Sequence, residues 1–202
     1  MPKIVDHAAR RDEIAQAACR VVARRGLDGL TLRDVAAEAG FANGALKPYF
    51  PTKTELARAT YTYVFEQTNR RIDRSVADAY GMLALERFAR EVLPLDAERL
   101  DEARVVLPFW QLALHEPGLA EINDGAMLTW RGRMRAWMRE GMAAGEIRPD
   151  LDVDPAVESL LNFLLGAQGA AVLDTSFNSV GHLEQQLGVQ LGHLRPEVRQ
   201  GS

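Results

Sequence analysis

Residues 32–50, LRDVAAEAGFANGALKPYF, hold the side chains whose types and spacing point to one chemistry. Lys47 and Tyr49 are placed to project from a short helix, and Lys53 falls in the first turn of the next. Cations beside a helix N-terminus bind phosphate, because the free backbone N–H groups there add partial positive charge. Arg33 offers a planar fork that matches guanine edges, and equally the charge for a surface phosphate contact. The intervening residues fit two short helices crossing at a tight turn. Val35 and Leu46 would face each other, Ala36 must be small where the second helix passes, and Phe50 would cover the pair. Gly40 permits the positive φ that reverses the chain. This small–glycine–apolar order is what a helix-turn-helix requires, and such a unit offers its second helix, N-terminus first, to the DNA major groove. An ordinary helical hairpin uses the same small residues. Lys47 and Lys53 favour the nucleic-acid reading, since an apolar core helix would not place lysine there.

Other chemistries are poorly supplied. His7, His115, His182 and His193 form no HExxH motif or paired ligand spacing, so neither a metal nor a cofactor is expected. Cys19 is the single cysteine. It excludes an internal disulfide framework, suits a reducing cytoplasm, and falls on the apolar face of the first helix as a small buried thiol would. There is no G-x-S-x-G motif or phosphate-cradling loop. Glu98, Asp101 and Glu102 read as solvated carboxylates. An enzyme is not expected.

The elements that position these residues are helices. Apolar residues recur at three- and four-residue spacing and no period-2 run is found. The pattern predicts an all-α fold of about nine helices, over 11–25, 32–39, 43–49, 52–77, 82–93, 100–115, 118–143, 155–174 and 178–194. Thr31 with Asp34, and Thr52 with Glu55, have capping-box spacing. Pro108 falls inside a helix and should kink it. With 202 residues, 47% apolar and 26% charged, the chain has ordinary globular composition. No signal peptide or 18-residue apolar run is seen, so a cytoplasmic chain without a membrane partner is expected. Charge is uneven: residues 1–53 hold nine Lys/Arg against six Asp/Glu, a net of +3, and residues 54–202 hold 15 against 22, a net of −7. A basic head on an acidic body fits a nucleic-acid binder, although a solvated face gives the same count.

Gly44, Leu46, Lys47, Tyr49, Phe50, Lys53 and Leu56, following TLRDVAAEAG, resemble the signature of the TetR family of transcriptional regulators. The opening PKIVDHAARRDEI is similar to the start of many members, so residues 2–56 carry the specific match. More loosely, GEIRPDLDVDPAVESLLNFLLGAQGAAVLD resembles the last part of the choline-responsive repressor branch. The resemblance implies a three-helix DNA-binding domain over residues 1–52 and a helical effector-binding and dimerisation domain over 53–200. It implies that Thr31 caps a helix and touches phosphate, that Asn43, Gly44 and Ala45 face base edges, and that Lys47, Tyr49 and Lys53 hold the DNA backbone. Two departures stand out. Ala42 replaces the usual Ser or Thr cap of the recognition helix, a role left to Asn43. Pro48 sits inside that helix and removes one hydrogen bond.

A short recognition helix reads few base pairs. At ~1–3 kcal/mol per mismatch it cannot select one site among ~10⁶ competitors, so a homodimer on a palindromic operator is expected. Leu160, Leu164 and Ala171 on one late helix, and Leu183, Leu187 and Leu191 on the next, are the candidate pairing residues. The simpler reading is that both helices pack on their own chain. For a small-molecule effector, the candidates are Phe109, Trp110, His115, Trp130, Met134, Trp137, Asn162, Phe163 and Gln168. Aromatic and Met residues at helical spacing are ordinarily core; the alternative is an apolar cavity with a few polar groups, its Trp faces suited to a cation. The expected function is a ligand-responsive regulator, most simply a repressor. Effector binding would tilt the long helix that starts at Thr52 and spoil the separation of the two recognition helices. The rival reading is a helical ligand-binding or scaffold protein that has lost DNA binding.

Overall fold

The computed structural model describes residues 7–173 and 178–196, and the elements within them are helical. In order they are α1 (His7–Arg25), a single 3-10 turn (Leu27–Gly29), α2 (Leu32–Glu38), α3 (Lys53–Ser75), α4 (Gly81–Val92), α5 (Ala97–Ala113), α6 (Pro117–Ala143), α7 (Val153–Val172) and α8 (Val180–Gly192). The chain forms two compact units, Met1–Gln67 with Asp101–Glu121, and Thr68–Leu100 with Ile122–Ser202.

In the first unit, α1 buries Ile14, Ala17, Ala18, Val21 and Val22, the three- and four-residue spacing of one helical face. Val35 and Ala36 of α2, Leu46, Phe50, and Leu56, Ala57 and Val64 of α3 close the same core, with Val105 from α5. Fully burying each larger apolar side chain contributes ~1.5–3 kcal/mol. Both expected caps are formed: Asp34 N donates to Thr31 Oγ1 and Glu55 N to Thr52 Oγ1, each at 3.1 Å. Thr60 is buried and donates its hydroxyl to Leu56 O at 2.7 Å.

The second unit packs Met82, Leu85, Phe88 and Val92 of α4 with Met127, Trp130, Met134 and Met138 of α6, and the apolar faces of α7 and α8. Ser179 caps α8 by accepting from His182 N. The start of α4 meets the end of α6 at two glycines. A Cβ on Gly81 would lie 3.1 Å from Gly141 Cα, and Gly81 has φ +54°. Gly81 N donates to Glu140 Oε2 at 3.2 Å and Met82 N to Glu146 Oε2 at 3.0 Å, so two carboxylates complete the N-terminus of α4.

The expected helix over 43–49 does not form. Residues 43–49 are consecutive turns. Gly44 has φ +85°, outside the α region. The bonds Ala45 N to Ala42 O (3.0 Å), Lys47 N to Gly44 O (3.3 Å) and Tyr49 N to Leu46 O (2.9 Å) span three residues, and Pro48 has no N–H to offer.

Candidate nucleic-acid interface and effector body

The turn before the interface is built as the spacing requires. Gly40 has φ +73°, and Phe41 N donates to Ala36 O at 2.8 Å, closing the end of α2. Val35, Ala36, Leu46 and Phe50 are buried to within 1%. Leu46 thereby roots the run of turns, and Asn43, Gly44, Ala45 and Lys47 on either side of it are exposed. Thr31, Arg33 and Lys53 are also exposed, while Tyr49 is half-buried. The Thr31 hydroxyl is engaged by Asp34 in both directions, accepting from its N–H and donating to Oδ2. Asp34 is 3.5 Å from Arg25 Nη1. Glu38 ties α2 to α1, and the hydrogen bond from Arg20, then that from Arg24, holds its carboxyl below the usual carboxylate range.

Residues outside the sequence-derived set also surround this run. The His7 ring lies 4.5 Å from that of Tyr49, the Arg10 guanidinium 4.8 Å from the Phe41 centroid, and the Arg11 guanidinium 4.3 Å from that of Phe50. Arg11 Nη1 donates to Tyr49 O. The adjacent arginines in the first turns of α1, ahead of its first buried residue Ile14, were the available signal.

The effector candidates are distributed over both units. In the first, Phe109 is buried against Tyr61, Trp110 is half-buried, and exposed His115 shares an open cavity of about 570 Å³ with Lys53, Pro108, Gln111 and Leu112. In the second, Trp130 and Trp137 converge on Phe88, a residue the sequence reading passed over, with centroids at 5.5 and 5.6 Å. Trp130 Nε1 donates to Asn69 Oδ1 at 3.1 Å, and the Arg133 guanidinium sits 5.1 Å from the Trp137 centroid. Met134 is fully buried core. Phe163 is half-buried and Asn162 exposed on α7. Gln168 is buried, donates from Nε2 to Val92 O at 3.3 Å, and leaves Oε1 without a hydrogen-bond partner.

The six pairing candidates are all spent inside one chain. Leu160, Leu164, Ala171, Leu183, Leu187 and Leu191 are 0–9% exposed. A helix apolar on most sides buries its widest stripe first against its own neighbours. The opposite faces remain exposed: Ser159, Asn162, Gly166 and Leu173 along α7 and its end, and Gly181, Gly188, Val189 and Gly192 on α8.

Comparison with known proteins agrees with this arrangement. The family model for bacterial regulatory proteins of the tetR family matches residues 14–60, and that for the C-terminal part of BetI-type transcriptional repressors matches residues 83–194. The chain is 30% identical over 175 residues to the HTH-type transcriptional regulator PksA of Bacillus subtilis, covering 86% of this chain and 84% of that protein. A transcriptional regulator from a Rhodococcus species superposes with TM-score 0.81 at 27% identity, covering 91% of this chain and 95% of its own. A regulator from Saccharomonospora viridis, solved in complex with choline, superposes with TM-score 0.87 at 23% identity, covering 95% and 100%. Its likeness is one of fold. The capped α2, the Gly40 reversal and the exposed run after it agree with these matches, and the chain belongs to the TetR family of bacterial helix-turn-helix transcriptional regulators, with a BetI-type C-terminal part.

Proposed function

We propose that this regulator is a homodimeric repressor of a palindromic operator, released by a small molecule and working in the cytoplasm without catalysing a reaction. Residues 1–52 read DNA and residues 53–200 bind the effector and pair the subunits. The observation that carries the DNA reading is the exposed run Asn43, Gly44, Ala45 and Lys47, rooted by buried Leu46 immediately after the Gly40 turn. Asn43 to Ala45 face base edges. Lys47, Lys53 and Tyr49 hold phosphates, Thr31 joins them by turning its hydroxyl from Asp34 Oδ2, and exposed Arg33 takes a guanine edge or a further phosphate. Pairing uses the exposed small-residue faces of α7 and α8, where glycines let two backbones approach closely.

The aromatic cluster around Phe88 supports a cationic effector. Trp137 already accepts the Arg133 guanidinium on its ring, the electrostatic contact that a quaternary ammonium also makes. The structural neighbour from Saccharomonospora viridis was solved with choline.

Selection of bound duplexes from a random pool tests this reading. A two-fold palindrome with half-sites about one helical turn apart, or a multiple of it, is the expected outcome. Recovery of duplexes with no common sequence would leave only the ligand-binding or scaffold reading. Adding choline to the selected complex tests the effector: displacement together with a raised melting midpoint is expected.

A further inference from the structure

The base-reading run is held by its own backbone only through isolated turn bonds, without a continuous helical ladder. Gly44 leaves the helical region, and Pro48 supplies no hydrogen bond. A run that reads base edges must nonetheless be fixed to within ~0.5 Å. Beside buried Leu46, α1 supplies the further grip. Arg10 covers Phe41 at the start of the run, and Arg11 covers Phe50 at its end. Arg11 also donates to the carbonyl of Tyr49. In a continuing helix that carbonyl would accept from the N–H four residues on; here a charged side chain from another helix takes it, and such bonds are about twice as strong as neutral ones.

We propose that Arg11 is a positioning residue that determines the sequence specificity of DNA reading, by holding residues 43–49 in their reading conformation without itself touching DNA. The proposal rests on the assignment of Asn43 to Ala45 to base edges. Its physical content is a separation of two effects. Phosphate contacts from Lys47 and Lys53 depend on charge and tolerate a loosened backbone, whereas hydrogen bonds to base edges do not. Losing Arg11 therefore costs discrimination while the electrostatic part of binding persists.

The test uses the full chain, the selected operator duplex and a scrambled duplex of equal length, titrated over a salt series. Arg11→Met keeps the aliphatic stem, and Arg11→Lys keeps the charge without the planar fork. Both variants are expected to lose roughly tenfold in the operator-to-scrambled affinity ratio, the size of one lost charge-assisted hydrogen bond. Both should keep the wild-type slope of log affinity against log salt. The proposal is overturned if the ratio is unchanged in both variants. It is also overturned if Arg11→Met weakens both duplexes alike and flattens the slope by roughly one unit while Arg11→Lys behaves as wild type, which would make Arg11 a phosphate contact. If Arg11→Met does not give a cooperative melt, Arg11→Lys decides alone, and an unchanged ratio overturns the proposal. Wild-type protein that does not discriminate between the duplexes would instead refute the base-reading assignment.

Discussion

The ring of Tyr61 lies flat on the ring of Phe109, with centroids 3.8 Å apart and planes 8° from parallel. The pair joins α3 to α5 inside the unit that also contains α1 and α2. Burial pushes the Tyr61 phenol up to about 12, against the lowering effect of a hydrogen bond from Trp110. Phe109 is 2% exposed, so its removal opens an internal cavity. Phe109→Ala is expected to cost about 3 kcal/mol and lower the melting midpoint by several degrees, as read by circular dichroism. An unchanged midpoint would mean that this stack carries no weight.

Much of this architecture was legible in the sequence, for identifiable reasons. Thr31 and Thr52 announce their helices because a cap is a local hydrogen bond between residues three apart. Val35, Ala36, Leu46 and Phe50 are buried as their spacing requires. The helix expected over 43–49 does not form because Gly44 takes φ +85°, a conformation that glycine permits but its presence does not announce. Leu160, Leu183 and Leu187 satisfied the pattern of a pairing surface and of an internal core equally well, and nothing local separates the two. Phe88, Arg11 and Asn69 escaped notice because their roles depend on partners far away in the chain.

Cys19 should be inert in the folded protein. Its Sγ lies 3.9 Å from Thr60 O. Desolvation, then the nearby Glu102 charge, raises the thiol from its ordinary 9.0 to about 12. The thiolate is the nucleophile, so alkylation by iodoacetamide at mildly alkaline pH is expected to be slow in native protein and fast once it is unfolded by denaturant. The sign for stability follows from the same shift. The folded state favours the neutral thiol, so this contribution is complete below the unfolded value and is lost as pH rises toward 12. Rapid native alkylation would show the thiol to be accessible.

Gly81 combines a positive φ with a close approach, and each argues against a side chain there. A Cβ would run into Glu146 Oε2 as well as the backbone of Gly141. The carboxylate can rotate away, losing its bond to Met82 N, but the backbone cannot. Gly81→Ala is expected to destabilise by about 2 kcal/mol or more in chemical denaturation. Gly132→Ala, on the same helix as Gly141 with open space around its Cβ, should be neutral or mildly stabilising because alanine is the better helix former. Equal effects of the two would remove the packing argument.

Asn43 and Lys47 stand at opposite ends of the exposed run, and they should fail differently when truncated. Lys47 carries a charge, and a phosphate contact releases condensed counterions whichever base lies beneath it. Lys47→Ala should therefore weaken binding to operator and scrambled duplex by similar factors and flatten the salt slope by about 0.9. Asn43 carries no charge but offers both a donor and an acceptor to a base edge. Asn43→Ala should leave the slope unchanged and cost ~1–3 kcal/mol of discrimination at one position of each half-site, visible when the duplex selection is repeated with the variant. A slope unmoved by Lys47→Ala would take Lys47 off the phosphates, and an unaltered selected sequence with Asn43→Ala would take Asn43 off the bases.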